Sequence, residues 1–214
     1  MSARIHTVLK RAPDTGLLVV LEGIDGTGKS TLARSLAEQL TRLGQDVVLS
    51  REPTDGPHGR RLRQSATLGR LSADEELEAF IEDRREHVAS LILPSLAAGR
   101  IVVLDRYYFS TAAYQGSRGL DWREILERNE AFAPEPDLLL ILEIDPARSL
   151  GRIQGRGDAA NEFERLENLQ KVDAVFRTLD RPYLRRFDAT QSREQLLQSA
   201  LDAVLTARQQ RSTT

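Results

Sequence analysis

A chain of 214 residues, 40% hydrophobic and 29% charged, suits one globular domain with a proper core and excludes collagen-like, coiled-coil and disordered classes. Lys plus Arg (30) nearly balance Asp plus Glu (32), a formal net charge of -2, which excludes a surface built to blanket nucleic acid and makes any basic site local. Without cysteine there is no disulfide or thiolate chemistry, and without an apolar run of about 18 residues or a signal-like apolar stretch the expectation is a cytoplasmic protein that engages no membrane.

In chain order, residues 1–15 are expected as a loose N-terminal extension of a single domain spanning 1–214. Apolar runs at Leu17 to Leu21, Asp46 to Ser50, Ile101 to Leu104 and Leu138 to Leu142 are short, aliphatic and free of alternation, the pattern of parallel strands buried on both faces. Helical patterns fall between and after them, roughly Lys29 to Leu43, Asp74 to Ala98, Trp122 to Phe132, Asn161 to Leu179 and Glu194 to Arg208. This alternation predicts an α/β fold, a doubly wound parallel sheet of about five strands flanked by helices, with ligands beyond the carboxyl ends of the strands. Residues 146–160, rich in Arg, Gly and small side chains and lacking a long apolar stripe, predict a small mobile lid carrying Arg148, Arg152 and Arg156.

The segment GIDGTGKS, Gly23 to Ser30, followed by Thr31, fits the pattern Gly, four residues, Gly, Lys, Ser or Thr, between a strand and a helix. Chance gives that string in roughly one chain in a hundred of this length. Its backbone N–H groups, from Gly23, Ile24, Asp25, Gly26, Thr27 and Gly28 onward, are expected to cradle the phosphates of ATP at the positive end of a helix. Lys29 is then placed for the β- and γ-phosphates and Ser30 for Mg²⁺.

Two further groups gather at strand ends, and a third lies on a helix. IVVLDR delivers Asp105, placed for Mg²⁺ or its waters, and Arg106, whose planar fork suits an acceptor phosphate. Arg51, Glu52 and Pro53 precede a glycine-bearing turn and a helix start with Arg60, Arg61 and Arg63, where spacing alone does not separate anion binding from a solvated face. Phe80 and Arg84 share one helical face and suit a planar base, although Phe80 taken alone reads more readily as core. His6, His58 and His87 show neither metal-ligand spacing nor a partnered nucleophile, and no role is expected of them.

From Leu17 to about Leu205 the chain resembles the thymidylate kinase family. The resemblance rests on an ordered set: LEGIDGTGKST from Leu21, REP from Arg51, Phe80 and Arg84 followed by REH, and DRYYFSTAAYQG from Asp105. The glycine-arginine segment Gly151 to Gly157 and DAT at Asp188 to Thr190 complete it. It implies phosphorylation of dTMP to dTDP by ATP and Mg²⁺, with Phe80 stacking on thymine and Arg84 hydrogen-bonding its edge. It further implies Arg63 and Arg106 on the acceptor phosphate, Thr111 and Gln115 along the base, Tyr114 against the sugar 2′ position, Asp25 approaching the acceptor's sugar, and Glu52 and Pro53 shaping the acceptor pocket.

The phosphate loop offers no arginine at Gly26 or Thr27, which resembles the bacterial kind, in which lid residues, here Arg156 with Arg152, supply the transition-state cation. Gln154 and Phe109 depart from the family pattern, standing where another arginine and an aspartate are common. The resemblance also implies a homodimer. Kinases for another nucleoside monophosphate or for a deoxynucleoside, and a nucleotide-sensing module without turnover, are the alternatives at this point.

Overall fold

Strand β1 (Leu17–Glu22) is buried along its whole length, as an aliphatic strand covered on both faces must be. The computed structural model describes residues 16–69, 71–153 and 159–212. Among them β1, β2 (Val47–Arg51), β3 (Ile101–Asp105), β4 (Leu138–Glu143) and β5 (Leu184–Asp188) form one parallel sheet in the order β2-β3-β1-β4-β5. Parallel pairing brings every carboxyl end to one edge. There the apolar runs give way to charge, at Glu22, Arg51, Asp105, Glu143 and Asp188. Register sets Asp105 beside both Leu21 and Arg51. Because β3 and β4 flank β1 on opposite sides, the winding reverses at β1, and a ligand crevice opens beyond its carboxyl end.

Helix α1 (Lys29–Arg42) buries Leu32, Leu36 and Leu40, with Ala33 and Ala37 beside them, one apolar stripe that packs toward the sheet. Helices α2 (Pro57–Leu68) and α3 (Ala73–His87) follow β2, α2 entering through Pro57 in its first turn and α3 through a reciprocal capping box of Ser72 and Glu75. The single helix expected over Asp74 to Ala98 is interrupted. A π-helical turn, Val88–Ile92, separates α3 from the short α4 (Leu93–Ala97). Pro94 accounts for it: proline lacks the N–H that would bond four residues back and crowds that carbonyl, so the ladder widens.

Helix α5 (Tyr108–Gly116) escaped the sequence pattern because it is buried nearly all round, Tyr108, Phe109, Ala112 and Ala113 included, and so shows no polar face. Helix α6 (Trp122–Glu130) precedes β4. The first half of the expected lid is a helix, α7 (Pro146–Ile153), anchored by buried Ser149 and Leu150. Helices α8 (Ala159–Thr178) and α9 (Arg193–Ser212) flank β5, and α9 packs beside α1.

Candidate functional site

The loop between β1 and α1 is shaped by its first glycine. Gly23 has φ 134, and a Cβ there would stand 2.4 Å from the carbonyl oxygen of Leu142, so only glycine lets the chain turn this tightly against β4. Gly28, with φ 92, is the N-cap of α1 and brings no side chain to cap it. The amino end of α1 thereby keeps its positive character for an anion. Lys29 folds back over the loop, its Nζ donating to the carbonyl of Ile24 at 2.7 Å. Burial, with the nearby charge of Arg106, lowers its pKa to about 8.

Ser30, at the start of α1, donates its hydroxyl to Oδ2 of Asp105, while Oδ1 of Asp105 is buried without a hydrogen-bond partner. A hydroxyl beside a carboxylate with an unsatisfied buried oxygen is a hard-oxygen pair that suits Mg²⁺, an ion that keeps waters and substrate phosphates as its other ligands. Among the described residues there is no group of three or more His, Cys, Asp or Glu that could hold a metal by protein alone.

Two clefts open on either side of the loop. One, of about 550 Å³, is lined by Gly26, Thr27, Gly28, Thr31 and Leu32 together with Arg152, Ala189 and Arg193. Arg152 reaches into it from α7, with Nη1 3.5 Å from the carbonyl of Gly26 and 3.2 Å from that of Ala189. Ser149, one turn earlier, donates to the backbone carbonyl of Asp25 and ties α7 to the loop.

The other cleft, of about 240 Å³, is lined by Asp25, Glu52, Pro53, Phe80, Arg84, Arg106, Thr111, Tyr114 and Gln115, with Glu76, Tyr107 and Ser110. Phe80 is half-buried along this wall and absent from the hydrophobic core, which corrects the core reading made from its helical face alone. Arg63 stands outside the lining. It donates to the carbonyls of Pro53 and Thr54 and pairs with Asp55 at 2.8 Å, bracing the turn that carries Pro53.

Arg84, 1% exposed, is held from three sides: Nε donates to Glu52 at 2.8 Å, Nη1 to Asn129 at 2.5 Å and Nη2 to Thr111 at 2.9 Å. Glu52 is itself held by His87, whose Nδ1 lies 3.0 Å from Oε1 and whose Nε2 lies 2.8 Å from the Ser50 hydroxyl. His87 thus has a place in the site, against the expectation of no role. His58 lies 3.5 Å from Glu86.

Arg106 pairs with Asp25 and lies against the ring of Tyr114. Burial, opposed by the Arg106 charge, pushes the Tyr114 phenol well above its ordinary range, so it is a neutral hydroxyl at any working pH. Sequence reasoning also missed Glu22, Ser110 and Asn129. Glu22 is fully buried and accepts the N–H of Tyr107 and both the N–H and hydroxyl of Ser110; burial raises its pKa, against the charge of Arg106. Its only sequence signal is a carboxylate closing an apolar strand before a glycine turn. Arg156 and Gln154, expected in the second half of the lid, lie outside the described residues.

Comparison with known proteins places this geometry in context. A profile of the family described as thymidylate kinase matches residues 21–200. The chain is 53% identical to the thymidylate kinase of Xanthomonas euvesicatoria pv. vesicatoria (strain 85-10) over 192 residues, 90% of this chain and 84% of that protein. It is 50% identical to the thymidylate kinase of Xylella fastidiosa (strain M12) over 190 residues, 89% of this chain and 87% of that protein.

Proposed function

The chain belongs to the thymidylate kinase family, and from that premise we propose that it transfers the γ-phosphoryl group of ATP to the phosphate of dTMP, giving dTDP and ADP. The observation that carries the reading is the position of the phosphate loop as a wall between two clefts. Asp25 faces one, and the next three residues, Gly26, Thr27 and Gly28, face the other. A donor in the larger cleft and an acceptor in the smaller one meet at that wall.

The residues divide the work accordingly. Gly23 to Thr31 hold the donor phosphates, with Lys29 neutralising charge on the transferred group. Arg106 clamps the acceptor phosphate, which needs no general base because it is already ionised. Positioning and charge neutralisation therefore suffice. Mg²⁺, when bound at Ser30 and Asp105, neutralises negative charge on the donor phosphates. Arg152 and Arg156 are the lid cations assigned to the transition state.

For the base, Phe80 supplies a stacking face and Arg84 a narrow choice of donor. Of five guanidinium N–H groups, Nε–H faces Glu52, Nη2 serves Thr111 and lies 2.7 Å from Glu52, and one on Nη1 serves Asn129. One Nη1 hydrogen is left. It suits a carbonyl acceptor, as on thymine, and repels an amino group, as on cytosine. Tyr114 crowds the sugar 2′ position and favours deoxyribose. Assembly as a homodimer and a cytoplasmic setting belong to the same proposal and rest on the family resemblance.

A coupled assay with ATP, Mg²⁺ and a panel of acceptors tests this reading. The expected outcome is dTMP as the preferred substrate. Faster phosphorylation of dCMP, dUMP or thymidine, or ATP binding with no product from any acceptor, would overturn it.

A further inference from the structure

Arg106 occupies an uncommon backbone conformation for an arginine, with φ 70. Left-handed residues other than glycine persist where their surroundings over-determine them. Here the chain has just left β3, and the Arg106 N–H donates to the carbonyl of Leu21 at 3.0 Å. The next N–H, of Tyr107, donates to Oε1 of Glu22 at 2.8 Å, and that of Ser110 to the same oxygen at 3.0 Å. Helix α5 has no side-chain cap from its own N-cap residue, Tyr107. The Glu22 carboxylate, arriving from β1, takes that place and closes the turn on the far side of Arg106.

The other carboxylate oxygen governs the side chain. Oε2 of Glu22 accepts the hydroxyl hydrogen of Ser110 at 2.6 Å, which commits the lone pairs of Ser110 Oγ outward, and Oγ then accepts from Nη1 of Arg106 at 2.8 Å. The direction of donation runs from Arg106 through Ser110 to Glu22 and is fixed by an acceptor-only group at its end. Nη2 of Arg106 meanwhile turns to Asp25 and Tyr114 at the cleft wall. A buried ionised carboxylate is costly to hold without direct charge pairing. Burial indeed raises the Glu22 pKa, and the charge of Arg106 is the first influence that opposes it.

We propose that Glu22 is a positioning residue for the transfer reaction, setting through Ser110 both the left-handed backbone and the side-chain direction of Arg106 at the acceptor phosphate. The inference rests on the acceptor reading of the Arg106 cleft. Replacing Glu22 by glutamine keeps shape but puts an amide N–H₂ opposite Ser110. The hydroxyl must then accept from the amide as well as from Arg106, and its own hydrogen loses the carboxylate that fixed the direction of the chain.

The test measures kcat, separate KM values for dTMP and ATP, and Tm for Glu22→Gln, Ser110→Ala, the double variant and Arg106→Ala. Glu22→Gln and Ser110→Ala are each expected to lower kcat/KM for dTMP by about 10- to 100-fold, the worth of one charge-assisted hydrogen bond. The KM for ATP should stay unchanged. The double variant should be no worse than the more impaired single one, because both break one chain. Glu22→Gln should keep or raise Tm, since it removes a buried charge.

An unchanged kcat/KM for dTMP in both single variants overturns the proposal, provided Arg106→Ala lowers it. An equal rise in both KM values together with a lower Tm also overturns it, since that marks a structural role alone. If Arg106→Ala itself leaves kcat/KM for dTMP unchanged, the acceptor reading fails and the positioning role falls with it.

Discussion

Lys29 illustrates how a side chain's chemistry is set by its surroundings. Its ordinary pKa of 10.5 is lowered to about 8 by burial beside Arg106, and phosphate oxygens entering the loop oppose that shift by favouring the charged form. The sign follows directly. Below about pH 8 the free protein carries the charge that ATP needs; above it the charge must be taken up on binding. ATP affinity is therefore expected to fall as pH rises through about 8, with proton uptake on binding, checked by calorimetry in buffers of different ionisation enthalpy. Affinity that is flat from pH 7 to 9 with no proton linkage would contradict the burial argument. Arg84→Ala should raise the dTMP KM and leave that for ATP alone. It should also cost about 3–5 kcal/mol of stability, because it strands the buried Glu52 carboxylate. Thermal melts and kinetics below the lowered Tm separate the two effects. At this scale the loop residues were legible because their spacing is local. Phe80 was not: a helical period says which residues share a face, never whether that face meets a core or a cleft. His87 was hidden for a similar reason, since its partners Glu52 and Ser50 lie on another element.

Among elements, β1 to β4 were legible from their aliphatic runs, and their ends shifted by a residue or so because charged strand-end residues still join the ladder, as Arg51 and Asp105 do, whereas β5, with the sequence LRRFD, offers no such run. Helix α5 was not, since burial on nearly all sides erases the periodic signal. Gly23→Ala tests how the turn after β1 is built. The substitution demands a left-handed alanine and pushes a methyl to 2.4 Å from the Leu142 carbonyl. A loss of more than about 1 kcal/mol in chemical denaturation is expected, with phosphate binding weakened. A variant as stable as the parent would show that the loop relaxes freely. Ser72→Ala is the milder counterpart. It removes the capping box of α3, and about 1 kcal/mol of stability should go with it, read as a lower denaturant midpoint.

For the whole molecule, two clefts divided by one loop predict separable ligand stabilisation. At 100 times its Kd, either ligand should add about 2.7 kcal/mol, at about 2–4 °C of Tm per kcal/mol for a chain of this size. In Arg84→Ala the shift given by dTMP should shrink while that of a non-hydrolysable ATP analogue persists. Loss of both shifts would mean that the clefts are not independent.

The sequence by itself determined the alternation of strands and helices, the phosphate loop with Lys29 and Ser30, and the family, because these depend on short-range pattern and on spacing along the chain. Only the tertiary structure decided which distant groups complete the site. Glu22 reaches Ser110 and Arg106 through the neighbouring positions of β1 and β3, and Glu52 reaches Arg84 and His87 across the gap between β2 and α3. A buried carboxylate's role depends on which donors the fold brings to it, and that choice is made by packing between elements far apart in the chain.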